Sequence, residues 1–96
     1  MSSYVVTFRS PATPPTQEQE QAWANWFSAI GPHITDFGHR VGQTVMLGER
    51  TEAADQLSGY ILIDADSLDA AVAVAQGCPG LPAGGRVEVG ETVATS

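Results

Sequence analysis

The stretch "SGYILIDADSLDAAVAVAQGCPG", residues 58–80, constrains the fold more than any other part of the chain, because its apolar period changes from two to helical within a few residues. Residues 59–65 predict a strand with Ile61, Ile63 and Ala65 on one face and Tyr60 and Leu62 on the other, so both faces need cover. Asp66 or Ser67 then caps a helix with Asp69 in its first turn and Leu68, Ala71, Val72 and Ala75 as its apolar face. Gly77 ends that helix, and Pro79 prevents its resumption.

The rest of the chain supplies partners for this unit. "YVVTFR", residues 4–9, is β-branched and aromatic and predicts a first strand. "SPATPPT" follows as a proline-broken loop. Thr16 and Gln19 have capping-box spacing, and Trp23, Trp26, Phe27 and Ile30 recur on one helical stripe before a stop at Gly31-Pro32. Residues 33–48 predict strand pieces interrupted by glycine, "ERTEAADQL" a loop or short helical turn, and "GRVEVGETV" a last strand. The order is strand, helix, strand or strand pair, strand, helix, strand. It predicts a ferredoxin-like α+β domain over 1–96, βαββαβ, with an antiparallel sheet and both helices on one face. A homodimer packing sheet on sheet would cover the other face.

Composition narrows the function classes. Eleven acids stand against four basic residues, all arginines (Arg9, Arg40, Arg50 and Arg86), for a formal charge of −7. Without clustered cations, neither nucleic acid nor an anionic membrane surface is an expected partner. No apolar run approaches the length of a bilayer span, and the N-terminus has no basic segment leading into one, so a cytoplasmic location is the default expectation. The single cysteine, Cys78, excludes an intramolecular disulfide and fits a reducing compartment.

The words "GYILIDADSLDAA", "CPG" and "GGRVEV" together resemble the YCII-related family, a branch of the dimeric α/β-barrel superfamily, over about three quarters of the chain. The resemblance implies a ferredoxin-like fold and a dimer. Some members are thought to use a His–Asp dyad on small cyclic or aromatic-derived acids, with the histidine on the first helix. That helix reads "EQEQAWANWFSAI" here and holds no histidine, so the dyad is not carried over. The Asp-Gly-Pro-Phe motif of another branch is also absent before the Gly-Tyr strand.

His33, Asp36 and His39 form the one His–carboxylate cluster. On a regular strand Asp36 would face away from both histidines, and only a bulge at Gly38 or an irregular segment would bring them together. A metal site is not expected, since a third ligand is missing, and no cofactor is expected either. Asp36 and His39 are the candidate acid–base pair, with Arg40 as a clamp for a substrate carboxylate. Trp23, Trp26 and Tyr60 are candidate walls of a ligand cavity, although core packing already explains the helical spacing of the tryptophans with Phe27 and Ile30 and is the favoured account. Cys78 sits past a helix C-terminus, where the dipole disfavours a thiolate. Two readings stay open: a small-molecule-handling protein acting on a small carboxylated or cyclic substrate by acid–base chemistry, or a non-catalytic ligand-binding or protein-interaction module.

Overall fold

The computed structural model describes residues 2–11, 13–48 and 55–94. Among them the elements run β1 (Ser2–Ser10), α1 (Gln17–Ile30), a 3-10 turn (Gly31–His33), β2 (Ile34–Arg40), β3 (Gln56–Ala65), α2 (Leu68–Ala75) and β4 (Arg86–Glu91). The sheet order is β2-β3-β1-β4 with every neighbouring pair antiparallel, which is the ferredoxin-like α+β arrangement. Most of "ERTEAADQL" lies outside the described residues; Gln56 and Leu57 at its end belong to β3.

α1 begins where the sequence predicts. Thr16 Oγ1 accepts from the Gln19 amide at 3.1 Å and Gln19 Oε1 accepts from the Thr16 amide at 2.8 Å, so each side chain satisfies the other residue's otherwise unpaired backbone N–H. The stop differs from expectation. Gly31 keeps right-handed helical angles (φ −46°, ψ −41°), and the chain tightens through one 3-10 turn with Pro32 near its start before extending into β2. The helix is therefore not ended by a left-handed glycine.

One face of the sheet carries the core. Tyr4, Val6 and Phe8 of β1 and Ile61, Ile63 and Ala65 of β3 alternate inward and pack with Trp26, Ile30, Ala71, Ala75 and Cys78. Phe8 meets Trp23 and Trp26 edge-on, with ring centroids 5.1 and 5.8 Å apart, and each such pair adds ~0.5–1.5 kcal/mol beyond area burial. α2 is rotated relative to the predicted face. Ala71 and Ala75 are buried as expected, but Leu68 and Val72 are exposed and Ala70 and Val74 pack inward instead. The helix spans only eight residues, so the sheet that receives it sets its phase, and the stripe continues into Cys78. Ser67, one of the two predicted caps, is the N-cap; its hydroxyl accepts from the Ala70 amide at 3.1 Å.

Gly77 and Gly80 have a packing role that the helix-stop reading missed. A Cβ on Gly77 would lie 3.1 Å from Trp26 Nε1, and one on Gly80 would lie 3.1 Å from Trp23 Cζ2. The "GCPG" turn is thus the seat on which both indoles rest. The turn then closes with Gly85 N donating to Gly80 O at 2.8 Å, delivering the chain to β4.

The start of β3 is tied to two strands by charge. Arg9 and Arg86 face each other across the β1–β4 ladder, and Asp55 binds both. Its Oδ1 accepts from Arg9 Nε at 3.2 Å and Arg86 Nη2 at 2.9 Å, and its Oδ2 accepts from Arg86 Nε at 2.6 Å. These bonds, that to Arg86 foremost, hold the Asp55 pKa at about 2.

Candidate functional site

A cleft of about 690 Å³ lies between α1 and the helix-facing side of the sheet and is closed at one end by the 80–85 turn. Its apolar walls are Phe8 of β1, Trp23 and Phe27 of α1, and Phe37 of β2. Ser10, Ser58, Glu20 and Arg40 are among its polar lining, and His39 and Tyr60 border it.

Register decides which way each candidate side chain faces, because residues opposite each other in an antiparallel ladder share a face. On β3, Gly59, Ile61 and Ile63 are buried toward the helices while Tyr60 and Leu62 are half-buried on the open face. Ile34 pairs with Ile63, Asp36 with Leu62, His39 with Tyr60 and Arg40 with Gly59. Between Ile34 and Arg40 the ladder slips twice, each time by one extra residue on β2. The strand is therefore not regular. Asp36 and His39 share the open face, and Arg40 falls on the helix side with the cleft.

Gly38 makes the second slip possible. Its φ is +59°, and a Cβ there would overlap the Tyr60 carbonyl oxygen and lie 2.9 Å from Tyr60 Cδ2. Only glycine combines that left-handed turn with so close an approach. The Asp36 carboxylate serves the same bend, with Oδ1 accepting from the Gly38 amide at 2.7 Å.

Sharing a face does not join the acid–base pair. Among the described residues no hydrogen bond links Asp36 to His39; the imidazole Nδ1 instead lies 3.1 Å from the Tyr60 hydroxyl. His33 is exposed in the 3-10 turn and takes no part. Among the described residues, no group of three or more His, Cys, Asp or Glu side chains is placed to hold a metal ion.

The remaining candidates divide. Trp23 lines the cleft, but Trp26 does not: it is 8% exposed and packs between Phe8 and Gly77. Trp26 belongs to the buried core, whereas Trp23 is only partly buried against it. Arg40 is exposed at the cleft, and among the described residues its guanidinium makes no ion pair or side-chain hydrogen bond. Arg9 and Arg86 are both committed to Asp55. Cys78 is buried, and that burial pushes its thiol pKa up despite backbone hydrogen bonds from Gly80 and Leu81.

Several cleft residues carried no separate signal in the sequence. Phe8 and Phe27 read as core, and Phe37, 66% exposed, stands at the cleft next to the Gly38 irregularity. Ser10 and Ser58 are distant in sequence, yet an irregularity in the β1–β3 ladder between Phe8 and Arg9 accompanies hydroxyls 3.0 Å apart.

No curated protein matches the chain. The model of the YCII-related domain matches residues 7–92, from within β1 to just past β4. With nearly all of its length matched and the predicted βαββαβ order in place, the chain belongs to the YCII-related family.

Proposed function

We propose that this YCII-related protein binds a small ring carboxylate in the cleft under α1, and that His39 supplies acid–base chemistry at the cleft's border. The observation that carries this reading is Arg40, a guanidinium without an acidic partner among the described residues, set beside aromatic walls. A planar guanidinium holds a carboxylate through two parallel hydrogen bonds, and aromatic edges and faces accept a flat ring. The volume falls within the ~300–1,000 Å³ typical of small-molecule sites. The His39 imidazole contacts the Tyr60 hydroxyl through Nδ1, which leaves Nε2 to exchange a proton.

One observation favours the second reading, a binding module without catalysis. The ladder sets Arg40 and His39 on opposite faces, so a ligand clamped by Arg40 meets His39 only around the edge strand β2.

Titration with benzoate, followed by tryptophan fluorescence because Trp23 lines the cleft, tests binding. Saturable quenching that is lost in Arg40→Ala and absent with benzamide is the expected result. Equal responses in wild type and Arg40→Ala refute the site. If His39 reaches the ligand, His39→Ala weakens benzoate binding at fixed pH; unchanged affinity leaves only the binding module.

The partner we propose is a second copy of the chain. Val5, Thr7, Tyr60 and Leu62 are only half-buried on the open sheet face. Two such faces stacked about 10 Å apart make the dimeric α/β barrel. Among the described residues no helix is long and apolar enough to cross a membrane, and a cytoplasmic location belongs to the same proposal.

A further inference from the structure

The ligand's second functional group follows from proton counting at the serine pair in the cleft wall. Ser58 Oγ donates to the Phe8 carbonyl oxygen at 3.1 Å. A hydroxyl has one proton, so in the 3.0 Å contact between the two serines Ser10 is the donor and Ser58 the acceptor. The relay runs Ser10 to Ser58 to Phe8 O and ends on a backbone carbonyl. Ser10 has then spent its proton, and what it still offers is lone pairs. Across the cleft, Glu20 of α1 offers only acceptor oxygens when ionised, and among the described residues nothing pairs with them.

These acceptors and Arg40 give the cleft a polarity. A carboxylate is drawn to Arg40 and repelled by Glu20. A ligand group meeting Ser10 or Glu20 must bring its own proton, because an acceptor placed there would face lone pairs with no donor between them. We infer that the ligand is a ring carboxylate that also carries a hydrogen-bond donor, a hydroxyl or an amine, received by Ser10 and, on the helix side, by Glu20. This deepens the proposed function and rests on it.

The test compares benzoate with the three hydroxybenzoates and their methoxy counterparts, which keep the oxygen and lose the proton, by calorimetry on the full chain. The best hydroxybenzoate is expected to bind about fivefold or more tightly than its methoxy partner, the equivalent of one hydrogen bond. In Ser10→Ala that preference falls to about one. The variant leaves no stranded partner, since Ser58 keeps its bond to Phe8 O, and Ser10→Thr restores the preference by restoring the hydroxyl. Benzoate binding that depends on Arg40 but shows no hydroxyl preference, or a preference that survives Ser10→Ala, overturns this inference alone. Failure of every compound to bind overturns the proposed site with it.

Discussion

Gly38→Ala tests the feature on which the geometry of the site depends. The substitution has two costs. An L-residue held at φ +59° loses ~1–2 kcal/mol, and the new methyl overlaps the carbonyl of Tyr60. That carbonyl belongs to β3, which is paired on both sides, so the edge strand β2 must give way instead. Giving way breaks the charge-assisted bond from the Gly38 amide to Asp36, worth about 1.5–3 kcal/mol. The total is ~3 kcal/mol, a large share of the ~5–15 kcal/mol that holds a domain folded, and it corresponds to ~12–24 °C in Tm for a chain of this size. Gly42→Ala is the control, since a Cβ there meets nothing within 4 Å and the residue has no positive φ. It should stay within ~0.5 kcal/mol of wild type. Urea denaturation at one fixed protein concentration measures both, because self-association would otherwise shift the midpoints. A Gly38→Ala variant within about 1 kcal/mol of Gly42→Ala would refute the argument. It would mean that β2 reaches this register without a left-handed residue.

Three further outcomes are expected. Asp55 has a folded-state pKa of about 2 against an ordinary 3.8, so its stabilising contribution is complete above about pH 4 and is lost as the pH falls through about 2; the stability gap between wild type and Asp55→Asn should close over that window, and a gap constant down to pH 1.5 would count against it. Cys78, buried with its thiol pKa raised, should react with a thiol-specific disulfide reagent at pH 8 only slowly in the native protein and fully in urea; equal rates would show that the thiol is accessible. Light scattering should give twice the 10.1 kDa chain mass at micromolar concentration, and Leu62→Asp on the open face should return it to one chain; a wild-type monomer would remove the dimer.

The sequence made the scaffold legible where local chemistry decided it. The Thr16–Gln19 box, the Trp23–Ile30 stripe and the alternation of 59–65 each have a single physical solution, and each is found. What the sequence left obscure was set by tertiary contact. The α2 phase was hidden because every residue from Ala70 to Ala75 is small or apolar, so the pattern alone could not choose among neighbouring stripes. The candidate site was half legible. Gly38 advertised an irregularity, but the number of slips in β2, and hence the faces given to His39 and Arg40, depends on pairing with β3. The serine relay joins residues 48 apart and depends on a bulge that no local signal announces.

The Asp55 bridge has a consequence for how relatives of this chain can diverge. Arg9 and Arg86 stand directly opposite each other, an arrangement that like charges disfavour, and one carboxylate between them makes it favourable. None of the three can drift alone. Neutralising position 55 leaves two facing guanidinium groups, and neutralising either arginine weakens the hold on the carboxylate. The three positions should therefore behave as one heritable character. A lineage that loses the acid at 55 is expected to have lost an arginine at 9 or 86, and a lineage keeping both arginines to have kept the acid.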